Sequence, residues 1–166
     1  PTTMAFVTLT DGIARYSFLD ENTAGRMLNI EAIPSLPKSV KALHFGAISL
    51  IPEPCGSTFE DFMKRSRDDF VISLDPNIRP GFITDEPAYR ERLRHMIGMS
   101  DIIKVSEEDL VWLEPGGRFE HIAQNWIEGG ALVVTLTMGA KGARSITASI
   151  DIEVAATPAE VIDTVG

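Results

Sequence analysis

Four short apolar segments, each closed by polar or turn-forming residues, restrict the fold of this chain more than any other feature. They are residues 42–50 (ALHFGAISL), 70–74 (FVISL), 101–105 (DIIKV) and 131–137 (ALVVTLT). Apolar runs of this length that end in turn residues are typical of strands buried on both faces of a parallel sheet. Helical patterns separate them, so the sequence predicts an α/β fold with right-handed crossovers between parallel strands.

Helix start signals lie between these strands. Ser57 and Glu60 have the spacing of a capping box and predict a helix that ends near Arg67. Ser106 and Asp109 repeat that spacing ahead of a helical segment at residues 110–113. Residues 119–128 form a further amphipathic pattern.

A longer helix is predicted over residues 86–98, with Asp85 as its N-cap. Its apolar side chains fall on one side. We therefore expect a solvated face made of Arg90, Arg92, Arg94 and His95.

The N-terminal segment has a different character. Residues 4–10 (MAFVTLT) and 13–19 (IARYSFL) alternate in polarity, and only Asp11 and Gly12 separate them. Asp-Gly between two such runs is a strong signal for a two-residue hairpin, because both turn positions need a positive φ. We expect a hairpin that stands off the main sheet, either as an appended lid or as a simple edge hairpin.

Composition narrows the classes of function. The formal net charge is −9 without a Lys/Arg-rich run, which argues against a nucleic-acid partner and against an anionic membrane surface. No apolar run approaches the roughly 18 residues of a membrane span. The single cysteine, Cys55, excludes a disulfide framework and fits a reducing cytoplasm.

Both ends of the sequence look cut. The chain starts at Pro1 without an initiator Met, and it stops at Gly166 in a small-residue loop. We expect the 166 residues to form one domain with a sizeable core, taken from a longer protein.

Polar residues follow three of the predicted strands, at the edge of the sheet where ligands bind in open α/β folds. The three groups are Asp75/Asn77/Arg79, Lys104/Ser106/Glu108/Asp109 and Thr137/Gly139/Lys141/Gly142. Asp-Pro-Asn is also ordinary turn chemistry, and the residues alone leave both interpretations open. The sequence has no phosphate-binding G-x-x-x-x-G-K-[ST] loop and no paired His or Cys spacing for zinc.

Individual polar residues have structural alternatives. Glu108 and Asp109 can hold a hydrated Mg²⁺ through water, but acids in a first helical turn also complement the helix dipole, and the residues alone favour the second role. His44 is expected to be a packed core histidine. Cys55 is expected to be a structural thiol rather than a nucleophile.

The motifs form a recognisable set when taken together. Residues 74–79 (LDPNIR), 104–109 (KVSEED), 134–143 (VTLTMGAKGA) and 163–166 (DTVG) occur in this order at this spacing. They resemble the ribokinase-like (PfkB) carbohydrate kinases, and among these the bacterial fructokinases. The resemblance covers nearly the whole chain.

The resemblance implies a fold and an activity. The fold would be a three-layer αβα sandwich with a mostly parallel central sheet and a small β lid hairpin. Residues 2–22 would form the lid and the return to the core, and residues 23–166 an incomplete core. The activity would be transfer of a phosphoryl group from MgATP to a sugar hydroxyl, with K⁺ as a further candidate cofactor. Small-molecule sugar and ATP would be the partners, and the lid would be a surface for a homodimer.

The resemblance also assigns site residues. Asn77 and Arg79 would lie near the sugar and the transferred phosphate, and Lys104 and Ser106 near the ATP phosphates. Asp109, with Glu108, would organise Mg²⁺ through water. The nucleotide loop would contain Thr137, Gly139, Lys141 and Gly142.

The C-terminal residues match the start of the family's catalytic signature. Asp163 would face the nucleotide, and Thr164 and Gly166 would begin the anion hole. The aspartate base that ends this signature is absent from the chain, so these 166 residues alone are expected to be inactive.

Three hypotheses for function stay open. Ketodeoxygluconate kinases of this family carry Tyr-Arg where this chain has Leu19 and Asp20, and an Arg fork suits a carboxylate substrate. The absence of this Arg from the chain favours a neutral ketose substrate such as fructose. A sugar-acid kinase or ribokinase of the same family is the first alternative, and a non-catalytic, kinase-like binding domain is the alternative from another class.

Overall fold

The structure of the protein, a computed structural model, describes residues 1–10 and 13–158. The predicted Asp11-Gly12 turn lies outside the described residues. The strands are β1 (Met4–Thr10), β2 (Ile13–Leu19), β3 (Ala42–Gly46), β4 (Val71–Asp75), β5 (Ile102–Ser106), β6 (Val133–Thr137), β7 (Ala143–Ile146) and β8 (Asp151–Val154). The helices are α1 (Cys55–Ser66), α2 (Glu86–Ile97), α3 (Glu107–Leu113) and α4 (Phe119–Glu128). Four 3₁₀ turns span Ile30–Ala32, Ala47–Leu50, Pro80–Phe82 and Gly139–Lys141.

The main sheet has six strands in the order β3-β4-β5-β6-β7-β8. The first four are parallel, and β7 and β8 are added antiparallel. The predicted α/β class with a mostly parallel sheet is confirmed. β4, the strand that precedes the Asp-Pro-Asn turn, lies inside the sheet between β3 and β5.

The core lies between one face of this sheet and the four helices. Side chains alternate along each strand, and the buried ones on β4, β5 and β6 are Ile72, Leu74, Ile103, Val105, Val134 and Leu136. Helices α1 and α2 cover β3 and β4, while α3 and α4 cover β5 and β6. Burying one such side chain stabilises the fold by about 1.5–3 kcal/mol. The opposite face is half-buried or exposed, so the described residues form two layers of the expected three.

The first two strands form a separate two-stranded sheet, as predicted. Met4 pairs with Leu19 and Ala5 with Phe18, so these pairs lie on opposite faces of the hairpin. The Phe18 ring contacts the edge of Phe82 on the main body, with 4.8 Å between the ring centroids. At the base of the hairpin, Asp20 accepts hydrogen bonds from the hydroxyls of Thr3 and Thr23.

Two predicted element boundaries were wrong. The strand predicted over residues 42–50 ends at Gly46, because Ala47 has a φ of 60° and turns the chain into a 3₁₀ helix. Helix α1 starts at Cys55 and not at Ser57, and the amide of Ser57 donates to the Glu53 carboxylate at 3.4 Å. The Ser57 hydroxyl accepts a hydrogen bond from Arg92.

The predicted solvated face of α2 is also partly wrong. Arg92 is only 7% exposed, since its guanidinium group turns inward onto the loop before α1. Arg90 lies over the Trp112 ring, with its guanidinium carbon 3.8 Å from the ring centroid. No helix in the described part of the chain is long and apolar enough to cross a membrane.

A Gly46→Ala substitution tests how closely β3 and β4 approach at their carboxyl ends. A Cβ at this position would lie 2.4 Å from the backbone oxygen of Asp75, so the strands must separate to accept it. We expect the free energy of unfolding to fall by about 2 kcal/mol, the cost of an overpacked site. Urea denaturation measures it. Gly81→Ala, with nothing within 4 Å of the new Cβ, is the matched control and should change stability by less than about 0.5 kcal/mol.

Candidate functional site

The carboxyl ends of β3 to β6 bring the predicted polar groups to one edge of the sheet. Gly46 is paired with Asp75, and Ser106 with Thr137, in the parallel register. A cavity of about 290 Å³ opens at the ends of β3 and β4. Its lining is His44, Phe45, Gly46, Ala47, Ser49, Phe59, Asp75 and Asn77. This edge is where parallel α/β sheets bind ligands.

Asp75 and Lys104 form an ion pair across β4 and β5. The Asp75 Oδ2 atom accepts a hydrogen bond from Lys104 Nζ at 3.0 Å. Asp75 Oδ1 is buried and has no hydrogen-bond partner in the part of the chain that the structure describes. A buried acceptor without a donor is costly, so this oxygen is suited to receive a donor from a ligand. From the residues alone, both turn chemistry and a place at the ligand edge were open for Asp75, and it was not among the predicted site residues.

The turn after β4 aims its side chains in different directions. Asn77 has a φ of 42° and lines the cavity. Asn adopts this left-handed backbone more readily than most residues, which is why it suits the turn. Arg79 is exposed, and its Nη1 atom donates to the carbonyl oxygen of Ile78 at 3.0 Å. Arg79 therefore curls back onto its own turn and does not line the cavity.

Asp109 is a buried structural carboxylate. It is 3% exposed, and its Oδ1 atom accepts from the Ile78 amide at 2.7 Å. Its Oδ2 atom accepts from the amide and the hydroxyl of Ser106, which completes the predicted capping box of α3. Both oxygens are occupied, so the helix-capping role is the one the geometry displays. Glu108 is exposed beside it, and the magnesium role of the two acids stays a prediction.

The loop after β6 has positive φ angles at two of its glycines. Gly139 and Gly142 have φ values of 55° and 104°, and a Cβ on Gly142 would lie 2.0 Å from the Val154 carbonyl oxygen. Lys141 Nζ contacts Glu107 Oε1 at 3.2 Å, and Thr137 Oγ1 is 3.4 Å from the Val105 carbonyl oxygen. These residues lie at the ends of β5 and β6, which are the first and second strands beyond the cavity at β3 and β4.

His44 and Ser49 were missed as candidates. His44 is exposed on the open face of the sheet and lines the cavity, so the predicted core histidine was wrong. Its Nδ1 atom lies 3.0 Å from Ser73 Oγ on the neighbouring strand. Strand alternation would have revealed it: Phe45 is buried, so His44 must face the opposite side.

Cys55 is buried and belongs to no reactive arrangement. Burial, together with the nearby carboxylates of Asp20 and Glu53, raises the pKa of its thiol to about 11 against the opposing effect of Arg92. The thiol is therefore protonated at neutral pH and is not a nucleophile. This agrees with the structural role predicted from the sequence.

The last group of predicted site residues is at the C-terminus. Asp163, predicted to face the nucleotide, and Thr164 and Gly166, predicted to begin the anion hole, lie outside the described residues. Within residues 1–10 and 13–158, no three His, Cys, Asp or Glu side chains form a group that could hold a metal ion directly. A cation at this site would need water or ligand oxygens in addition.

The chain matches known proteins over its whole length. The model of the pfkB family carbohydrate kinases matches residues 1–166. A fructokinase from Rhizobium leguminosarum bv. trifolii is 48% identical over 166 residues, which are 100% of this chain and 51% of that protein. A probable chloroplastic fructokinase-6 from Arabidopsis thaliana is 32% identical and is covered to 44%. The chain thus spans about half the length of the curated relatives it matches.

Solved structures of similar fold include fructokinases. The fructokinase of Vibrio cholerae O395, with fructose, ADP and calcium bound, aligns with a TM-score of 0.79 and 27% identity. That alignment covers 91% of this chain and 49% of the other. The fructokinase of Xylella fastidiosa with bound ATP aligns with a TM-score of 0.83, covers 98% of this chain and 51% of the other, and at 23% identity shows the fold alone.

An Asp109→Asn substitution separates the structural carboxylate from its exposed neighbour. The amide group would present donors toward the Ser106 or Ile78 amide, which leaves a buried donor unpaired. We expect a loss of about 2–3 kcal/mol in the free energy of unfolding, measured by urea denaturation. Glu108→Gln on the same helix turn is exposed and should cost less than about 0.5 kcal/mol. Equal effects of the two substitutions would contradict the assignment.

Proposed function

Because the chain belongs to the pfkB family of carbohydrate kinases, we propose that the protein containing it transfers the γ-phosphoryl group of ATP to a hydroxyl group of fructose. The observation that carries this proposal is the 48% identity to a fructokinase over all 166 residues. The chain spans 51% of that relative, so the activity is proposed for the protein that contains it.

The cavity at the ends of β3 and β4 supports a polyhydroxylated, uncharged acceptor. It offers the unpaired Asp75 Oδ1 atom as an acceptor, together with the side chains of Asn77 and Ser49. A sugar hydroxyl can donate to the first and exchange hydrogen bonds with the others. Phe45 and Phe59 supply apolar walls for the carbon faces of a sugar ring.

Two lysines at the same edge of the sheet support an ATP-dependent step. Lys104 lies next to the cavity through its ion pair with Asp75, and Lys141 lies on the glycine-bearing loop after β6. ATP would supply the phosphoryl group, and Mg²⁺ would neutralise part of its charge. Lys104, Ser106, Thr137, Gly139, Lys141 and Gly142 would bind and orient the phosphates. Fixed positive charge aimed at a transferring phosphoryl group lowers the barrier in such sites.

We further propose Mg²⁺ near the start of α3. Glu108 is exposed there, and Asp109 holds the turn that carries Asn77 and Arg79. Mg²⁺ keeps several waters and needs one or two carboxylates, which fits an arrangement through water. K⁺ belongs to the proposal because a related fructokinase structure contains it.

A neutral sugar is favoured over a sugar acid by Asp20. This carboxylate lines a cavity of about 160 Å³ between the hairpin and the main body, together with Arg26 and Phe82. A substrate carboxylate next to Asp20 would meet a like charge, and Arg26 would have to compensate for it. A sugar-acid kinase remains the alternative to be tested. We also propose that the protein is located in the cytoplasm and has sugar and ATP as its small-molecule partners.

The protein expressed from the complete reading frame that contains these residues tests the proposal. A coupled ADP-release assay with fructose, ribose and ketodeoxygluconate should give turnover with fructose, with a kcat of about 1–100 s⁻¹ as is typical of kinases. Chelation of Mg²⁺ with EDTA is the control and should abolish the rate. Turnover with the sugar acid but not with fructose would overturn the substrate assignment. Sugar binding by calorimetry without turnover of any sugar would indicate a non-catalytic binding domain.

The hairpin of residues 2–22 is proposed as a lid and as a homodimer surface. Its outer face exposes Met4 at 51%, Phe6 at 50% and Leu19 at 60%, while Phe18 on the inner face contacts Phe82. Exposed apolar side chains on one face of a strand pair are typical of an interaction surface.

A Phe6→Ser substitution tests that surface. Sedimentation velocity of the protein from the complete reading frame should show a dimer, with the substitution weakening association at least about tenfold through lost apolar burial. Met27→Ser is the control, since Met27 is equally exposed at 49% and lies outside the hairpin. A monomeric parent protein, or equal effects of both substitutions, would contradict the proposal.

A further inference from the structure

The guanidinium group of Arg92 is a buried cation that the proposed reaction does not use directly. Its side chain is 8% exposed, although its neighbours Glu91 and Arg94 on α2 are exposed. A buried charge is retained only when hydrogen bonds and opposite charges compensate for its lost hydration. The contacts of Arg92 therefore show which part of the molecule needs it.

Those contacts hold the segment between β3 and α1. Arg92 Nη1 donates to the carbonyl oxygen of Leu50 at 2.8 Å and lies 3.4 Å from that of Ile51. Nη2 donates to the Glu53 carboxylate and, at 3.2 Å, to the Ser57 hydroxyl. One side chain thus holds two backbone carbonyls and two side chains in a stretch of eight residues.

Leu50 is the last residue of the 3₁₀ helix Ala47–Leu50. We call this helix and the preceding Gly46 the β3 loop. Carbonyl groups at a helix C-terminus have no partner within the helix, and an Arg side chain can supply one. This loop also contains a strained residue, since Ala47 has a φ of 60°. Such a backbone persists only where the surrounding structure fixes it.

The β3 loop forms one wall of the candidate site. Gly46, Ala47 and Ser49 line the cavity that also contains Asp75 and Asn77. Ile48 points to the other side and lines the cavity beneath the hairpin. A shift of this loop would therefore change the shape of both cavities.

We infer that Arg92 is a positioning residue for sugar binding, which acts by fixing the β3 loop from behind. The inference rests on the proposed function for its effect on activity, but the geometry of the loop is independent of it. Gly56 supports the assignment, because a Cβ there would lie 2.3 Å from Arg92 Nη1 and 2.8 Å from the Leu50 carbonyl oxygen. The absent side chain leaves space that the guanidinium group fills.

Kinetics of Arg92→Met in the protein from the complete reading frame test the inference. Met keeps the length of the side chain and removes the donors. We expect the KM for fructose to rise about tenfold, kcat to change less than about threefold, and the KM for ATP to stay unchanged. Arg92→Lys should recover part of the KM, because one donor can still reach the Leu50 carbonyl. Arg94→Met, an exposed position on the same helix, is the control and should match the parent protein.

Hydrogen exchange of the β3 loop gives a second readout that needs no activity. The amides of residues 47–50, and that of Ile51 directly after the loop, should exchange at least about tenfold faster in Arg92→Met, and at the parent rate in Arg94→Met. A parent protein without kinase activity would overturn the proposed function, and the exchange rates would still decide the role of Arg92. Unchanged exchange, or a lower melting temperature with an unchanged KM for fructose, would show a role in stability alone. If Arg92→Met fails to fold, the same comparisons are made with Arg92→Lys.

Discussion

The carboxylate of Asp109 is the interaction on which the arrangement at the sheet edge depends. It lies on the first turn of α3, and it receives an amide from the turn after β4 as well as two donors from the end of β5. Two neighbouring strand ends are thereby fixed to one helix. The turn that carries Asn77 then has a defined orientation relative to Lys104. An ionised carboxylate is suited to this task because its hydrogen bonds are stronger than those of a neutral acceptor.

Arg92 performs the complementary task on the other side of the cavity. Asp109 is an anion that gathers backbone amides, and Arg92 is a cation that gathers backbone carbonyls. Both are buried on the helical side of the sheet, behind the residues that face the cavity. The open face of the sheet can thus keep its polar side chains available, including the Asp75–Lys104 pair and His44. The two charges support the site without occupying it.

Much of the fold was predictable because local signals agree with the tertiary structure. The alternation of β1 and β2 predicted both strands with the observed bounds, and the capping box of Ser106 and Asp109 was confirmed. The end of β3 was not predictable, since the apolar run continues through Ala47 and Leu50 while the backbone changes direction. Residue propensities do not predict where this strand ends. The end coincides with Gly46, where a Cβ would clash with the Asp75 carbonyl oxygen of the neighbouring strand, and this proximity is known only from the structure.

The site was predictable only in outline, and α2 shows why. Arg90, Arg92, Arg94 and His95 follow each other in a pattern typical of a solvated face, yet Arg92 is buried. Its partners include two backbone carbonyls more than forty positions away in the sequence, and carbonyls have no sequence signature. The ion pair of Asp75 with Lys104 likewise depends on strand order. Both contacts depend on which strands and helices are neighbours in the fold, and the order of residue types along the chain does not predict them.

The left-handed backbone of Ala47 has a consequence for how the site forms during folding. A non-glycine residue in this conformation costs about 1–2 kcal/mol, so the isolated segment would relax to another geometry. The β3 loop therefore depends for its shape on contacts from outside the segment, which include the guanidinium group of Arg92 on α2. In a partly folded state with the sheet and helices formed but α2 still undocked, the residues that line the cavity would be present without the loop geometry that shapes it. Ligand binding at this edge consequently reports on the completion of tertiary packing.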